Sequence, residues 1–455
     1  MVFQEPMTAL NPVFSIGYTL LEAICRMQRV DDQQARSIAL QLLAEVALPA
    51  DPAFLKRYPH EMSGGQQQRV MIALALAGNP RLLIADEPTT ALDVTVQRTL
   101  LELLRSLQRK RGMGMLFISH DLGLVADIAD EILVLYQGKM IEYGAVQQVL
   151  NQPKHPYTQA LLACRPERHE PGTKLPVVAD FLASISTEKT NSLSPNITPH
   201  HPSLLATHSS LRVENLSAQY GTHRVLDSVG FELYPGETLA VVGESGSGKS
   251  TLAKALVRLV PVQSGQIWVD DRLLEQIPRK ELARKIQLVF QDPYGSLNPR
   301  QTIGALLEEP LRVHFPGMTP NERKTRVREL LMQVELPNDV HQCFPVAFSG
   351  GQRQRIVIAR ALAVQPAILI FDESVSALDV SVQAQILNLV QDLQASLGFA
   401  SLFISHDLSV VRHCSQRLLV LEKGRIVEQG NTTDVMNSPQ HPYTQKLLAA
   451  SFRTA

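Results

Sequence analysis

Short continuous apolar runs are set along this chain among stretches whose apolar residues recur every three to four positions. LLIAD at Leu82–Asp86, TLAVV at Thr238–Val242 and ILIFD at Ile368–Asp372 are runs of the first kind. Each predicts a strand buried on both faces, as in a parallel sheet covered by helices. STLAKALVRLV, after Lys249, has helical spacing, and the alternation of LRVENLSAQY from Leu211 predicts a strand opening a new domain. Between Arg165 and Ser210 both periodicities fade into a Ser/Thr/Asn-rich stretch punctuated by prolines, which reads as a flexible linker. The pattern predicts an α/β protein with domains at 1–164 and 211–455, joined by 165–210.

The two halves repeat one another. SGGQ-x-QR stands at Ser63–Arg69 and at Ser349–Arg355, an offset of 286 residues (349 − 63). Asp86 and Asp372, His120 and His406, and His155 and His441 keep the same offset, while VFQEP at Val2 and VFQDP at Val289 differ from it by one residue. A unit this long is a tandem domain rather than a solenoid repeat. One element breaks the symmetry: the glycine-rich string GESGSGKST occurs only at Gly243–Thr251. Its counterpart would fall about 44 residues before Met1, at the repeat spacing. The expectation is a first domain without its loop-bearing front portion, with a second G-x-x-x-x-G-K-S/T encoded upstream. The strand LLIAD is then expected to be left with an unpaired edge.

Bulk properties narrow the classes. A chain of 455 residues suits two domains, and 45% hydrophobic with 19% charged residues describes an ordinary globular protein. A net charge of −1 gives no electrostatic footprint for nucleic acid. No apolar stretch reaches the length of a membrane span, and MVFQEPMTALNP lacks a signal peptide's basic and apolar regions. The four cysteines lie far apart without a C-x-x-C pair, which suits idle thiols in a reducing compartment.

The glycine-rich string carries the chemistry. Between a strand and a helix, G-x-x-x-x-G-K-S lets backbone amides turn around phosphate oxygens, and the helix dipole favours the same anion. Lys249 reaches the β- and γ-phosphates, and Ser250 ligates Mg²⁺. Asp372, at the end of its strand, can sit beside that ion. Glu373 is placed to polarise an attacking water.

With SGGQ between these elements, the chain resembles the ATP-binding subunits of ABC transporters over both halves, the linker excepted. The resemblance implies two P-loop ABC nucleotide-binding domains in tandem, the first lacking its N-terminal P-loop portion. It implies ATP held by Gly243, Glu244, Ser245, Gly246, Ser247, Gly248, Lys249, Ser250 and Thr251. Mg²⁺ would be held by Ser250, Gln291 and Asp372. Glu373, His406 and Gln291 resemble the catalytic glutamate, switch histidine and Q-loop glutamine, and Asp379 the loop that crosses a dimer interface. Such domains pair head to tail, which brings Ser63, Gly64, Gly65 and Gln66 of the signature to the nucleotide. Tyr220 either stacks on adenine or packs. Gln4, Asp86, Glu87 and His120 would form a mirror site with no phosphate cradle.

The tails HPYTQALLA and HPYTQKLLA, at His155 and His441, resemble those of dipeptide, oligopeptide, nickel and glutathione importer ATPases. That implies two transmembrane permease subunits and a solute-binding protein as partners, at the cytoplasmic face of the membrane. Two other classes stay open: a soluble non-transport ABC ATPase, and a remnant that binds ATP at one site and couples to nothing. The tails' own role also stays open between recognition and packing.

Overall fold

Polar residues that start helices and apolar runs that become strands divide the chain into two units. The computed structural model describes residues 1–4, 9–89, 94–178, 181–182, 208–376 and 378–451. One unit is Met1–Pro153; the other runs from Lys154 onward.

In the first unit, Ser15, Asp31 and Ser63 cap helices α1 (Ile16–Gln28), α2 (Asp32–Glu45) and α3 (Gly64–Leu76), each side chain accepting an orphan backbone N–H. Strand β1 (Leu82–Asp86) precedes helix α4 (Val94–Arg111) and pairs in parallel with β2 (Gly114–Ile118). Ile16, Leu20, Leu43, Ile72, Leu83 and Leu104 meet in its core. Strands β3 (Glu131–Tyr136) and β4 (Lys139–Ala145) form a separate antiparallel pair.

The second unit begins with helix α5 (Pro156–Ala163). Strands β5 (Leu211–Tyr220), β6 (His223–Leu233), β8 (Ser264–Val269) and β9 (Arg272–Leu273) make an antiparallel sheet ordered β6-β5-β8-β9. Strands β7 (Thr238–Val242), β10 (Ile286–Val289), β11 (Ile368–Asp372), β12 (Ala400–Ile404), β13 (Arg417–Glu422) and β14 (Arg425–Asn431) make a six-stranded sheet, ordered β10-β11-β12-β7-β13-β14. All its pairings are parallel except β13–β14. Strand β7 lies inside, and all five of its residues are buried. Leu239 and Val241 join the core shared with the antiparallel sheet and helix α6 (Lys249–Leu256), while Ala240 and Val242 face a smaller cluster. Helices α7 (Gly350–Leu362), α8 (Val380–Leu397), α9 (Leu408–Cys414) and α10 (Pro442–Ser451) complete the frame of the site.

Two expectations are corrected. Residues 154–178, read as the first domain's end and part of a linker, pack within the second unit. Ala160, Cys164, Leu175 and Val178 are buried in the core around α7 and α8. Asn388 on α8 accepts from the Leu175 N–H at 2.9 Å and donates to its carbonyl at 2.8 Å. Lys174 pairs with Asp392 at 2.8 Å, and Gly172 donates to the His413 carbonyl. Sequence similarity between the two tails assigned this segment by its repeat; the burial of its few apolar residues decides where it goes. Residues 179–180 and 183–207, the rest of the expected linker, lie outside the described residues.

The second correction concerns the open edge. Strand β1 has β2 on one side and a parallel bridge from Val2 to Ala85 on the other. Among the described residues, the second flank of β1 carries that one-residue bridge and no further strand, with Leu82 54% exposed, and β2 and β3 each have a flank with no partner strand. Their counterparts β12 and β13 both pair with β7. Leu116 is 51% exposed where Leu402 is 0%, and Leu135 is 60% exposed where Leu421 is 0%.

Candidate functional site

The turn out of β7 is made by backbone that only glycine suits. Gly243 passes so close to β13 that a Cβ would lie 2.2 Å from the Leu421 carbonyl oxygen. Gly248, at φ 108°, begins α6, and a Cβ there would lie 2.8 Å from a methyl of Leu226. The loop is held from outside as well: Ser247 accepts from the Gly424 N–H at 2.9 Å, and the Tyr443 hydroxyl accepts from the Glu244 N–H at 2.8 Å. The buried Ser247 hydroxyl has no hydrogen-bond partner. A cradle that excludes side chains at Gly243 and Gly248, opens onto a helix N-terminus and holds an unsatisfied hydroxyl suits the phosphates of a nucleotide.

Buried Lys249 is the first residue of α6. Its ammonium donates to the carbonyls of Gly243 at 2.8 Å and Glu244 at 3.1 Å, and lies 3.7 Å from the Glu373 carboxylate. The Ser250 hydroxyl, next along the helix, donates to Asp372 at 2.9 Å. Burial pushes the Asp372 carboxyl above its ordinary range; the Ser250 hydrogen bond opposes this, and the neighbouring Glu373 charge adds to it. A divalent cation shared by that hydroxyl and carboxylate would relieve the strain of the buried acid, so the pair fits Mg²⁺. Among the described residues no cluster of three or more His, Cys, Asp or Glu side chains could hold a metal by itself.

Glu373 is the hub. It follows β11 in the left-handed region, at φ 48°, an uncommon conformation for a residue with a side chain. Its N–H donates to the Ile404 carbonyl, which fixes the turn against β12. Gln291 donates to its carboxylate at 3.1 Å, and His406 Nδ1 lies 3.4 Å away. Burial works against the ionised form, yet the His406 imidazole and the Lys249 ammonium outweigh it and hold Glu373 below its ordinary range. The same contact lifts His406 above its own ordinary value despite burial. An ionised carboxylate with a fixed direction can take a proton from water, and the imidazole beside it can carry positive charge.

The first unit repeats this hub. Glu87 sits at φ 43°, Gln4 donates to it at 2.6 Å and His120 Nδ1 lies at 3.1 Å. Asp86 ends β1 beside it. No glycine-rich loop stands beside them among the described residues of that unit.

The remaining expected residues are placed less decisively. Ser245, Gly246 and Thr251 lie on the loop and first turn of α6. Tyr220 is exposed at the tip of the β5–β6 hairpin. Ser63 and Gln66 form a reciprocal capping box at the start of α3, with Gly64 and Gly65 in its first turn; Ser349 and Gln352 repeat it on α7. Asp379 caps α8 through the Val382 N–H. Sequence reasoning missed the contact of Tyr443 with the loop. The HPYT repeat drew attention to that residue, but nothing local indicates a partner 199 positions away.

A family model described as "ABC transporter" matches residues 1–90 and 226–376. One described as "Oligopeptide/dipeptide transporter, C-terminal region" matches 141–190 and 427–455. The chain is 47% identical over 462 residues to the glutathione import ATP-binding protein GsiA of Salmonella choleraesuis strain SC-B67, covering 99% of this chain and 74% of the relative. It is 48% identical over 466 residues to the protein of that name from Escherichia coli strain K12, with the same coverage. Among solved structures, cbiO1 from Clostridium perfringens aligns with a TM-score of 0.47 and 26% identity, over 50% of this chain and 91% of that one.

Proposed function

The chain belongs to the ABC transporter ATP-binding proteins, and from that premise we propose that it energises an importer of glutathione or of di- and oligopeptides. Its relatives are named for glutathione import, and both its tails match the peptide-transporter region. As an ABC-type ATPase it binds and hydrolyses ATP. The observation that carries the site is the convergence of Lys249, Gln291 and His406 on Glu373 beside the glycine loop.

In this reading the loop amides from Gly243 to Thr251 and the Lys249 ammonium bind the β- and γ-phosphates. Ser250, Asp372 and Gln291 would hold Mg²⁺, which when bound would neutralise charge on those phosphates. Glu373 holds the attacking water and takes its proton. Gln291 orients the carboxylate. His406 stabilises the ionised carboxylate and donates toward the γ-phosphate. Ser63, Gly64, Gly65 and Gln66 serve as the signature that closes on a nucleotide, their α3 amides offered to its γ-phosphate. Tyr220 stacks on adenine.

The partners are two permease subunits and a solute-binding protein, with this chain peripheral on the cytoplasmic face. Among the described residues no helix is long and apolar enough to cross a membrane. The exposed rows on β2 and β3 favour a second reading, a chain that binds ATP at one site and couples to nothing.

Replacing Lys249 by alanine tests the site. ATP affinity, measured by titration calorimetry, should fall at least 100-fold, the scale expected when a phosphate loses its buried charged donor. Unchanged affinity would sink the assignment. Stimulated ATPase activity on reconstitution with permeases separates the importer from the uncoupled reading.

A further inference from the structure

The HPYT tails are the one repeated motif that nucleotide chemistry leaves unused, and the second copy touches the phosphate loop. Its construction is local at first. His441 Nδ1 accepts from the Tyr443 N–H at 3.2 Å, which starts α10, and Pro442 occupies a first-turn position where a missing N–H costs nothing. Glu428 on β14 accepts the N–H groups of Gln440 at 2.8 Å and His441 at 3.0 Å, tying the start of α10 to the sheet. From there Tyr443 enters the cluster formed with Ala240, Val242, Leu408, Val420 and Leu447. Its hydroxyl meets the N–H of Glu244, the residue immediately after Gly243. One turn later Lys446 lies 3.5 Å from the Glu244 carboxylate.

We propose that Tyr443 is a positioning residue for the phosphate loop, its hydroxyl fixing the backbone of Glu244 so that the amides that follow are preset for phosphate. Packing alone does not account for the hydroxyl, since the cluster it enters is apolar and a phenyl ring would fill the same space. The hydrogen bond falls where the backbone leaves β7, so a shift there propagates to each following amide up to Lys249. The contact also distinguishes the two tails. In the first copy His155 accepts from the Tyr157 N–H in the same way, at 3.1 Å. There the Tyr157 ring packs against the core around α7 and α8, and Ala160 stands where Lys446 would be. The shared motif is thus a way of starting a helix, and the loop contact belongs to the second copy.

The inference rests on reading Gly243–Thr251 as the ATP site, and the test separates the two. In the full chain, Tyr443→Phe should weaken ATP binding about three- to tenfold, the loss expected for one neutral hydrogen bond. The unfolding temperature of the nucleotide-free protein should fall by only about 2–4 °C, the shift expected for one hydrogen bond. In steady-state hydrolysis the KM for ATP should rise by a similar factor with kcat within about twofold, because Glu373, Gln291 and His406 are untouched. Lys446→Met, on an exposed side chain, should have a smaller effect of the same sign. Wild-type affinity in Tyr443→Phe, or a loss of affinity seen only where the nucleotide-free variant is already unfolding, overturns the proposal. A Lys249→Ala chain that still binds ATP overturns the site itself instead.

Discussion

Glu373 and His406 pull each other's ionisation in opposite directions, and this makes their contact readable by pH. Glu373 is held below its ordinary 4.5, so its contribution to stability is present above that value and is lost as pH falls through the lowered folded value. His406 is raised above its ordinary 6.5, so its contribution is present below that value and is lost as pH rises through the raised folded value. The destabilisation caused by His406→Gln, measured by urea unfolding, should be largest between those two ordinary values and shrink as pH is raised toward 9. A difference that is flat across that range would contradict the ion pair. Glu373→Gln should leave ATP binding intact while lowering hydrolysis by roughly 10²–10⁴, the usual worth of a general base. Nucleotide titration and steady-state turnover on one preparation check both halves of that statement.

At the scale of elements, the strand–loop–helix around Lys249 was legible because each part announces itself locally. An apolar run, two obligatory glycines and a helical repeat leave little freedom, and β7, the loop and α6 stand where that pattern predicts. The glycine requirement has a direct test. Gly248→Ala meets both the Leu226 methyl and the Val225 carbonyl and must hold φ 108°, so it should destabilise the protein by roughly 1–3 kcal/mol. Gly246→Ala, with nothing within 4 Å of its Cβ, should cost less, from backbone strain alone. Urea midpoints rank the two.

The open flank was legible only in kind. Repeat arithmetic implied an unpaired strand at LLIAD, where Leu82 is indeed 54% exposed, but strand order in the sheet is set by long-range pairing, and that order extends the exposure to β2 and β3. Amide hydrogen exchange should therefore be faster in Gly114–Ile118 than in Ala400–Ile404, although the two segments are similar in sequence. Equal protection would show that the flank is covered in solution.

For the whole molecule, one glycine-rich loop in 455 residues predicts one tightly bound nucleotide per chain, which calorimetric stoichiometry checks. Two would mean that Glu87 and His120 have a phosphate cradle after all. The join between the units was the least legible feature. Proline-rich composition marks where regular structure stops, but it does not say which body the flanking residues pack on. Asn388, Lys174 and Leu175 make that choice through contacts across more than 200 positions. Both 154–178 and the strands from Leu211 onward belong to the second unit. The covalent passage between the units lies near Pro153, well before the stretch that resembles a spacer. A site-specific protease target inserted near residue 190 would cut the chain without freeing its two ends. The fragments should co-elute as a nicked complex and part only in denaturant, with the N-terminal piece acting as a non-covalent subunit that buries Leu175 and Val178.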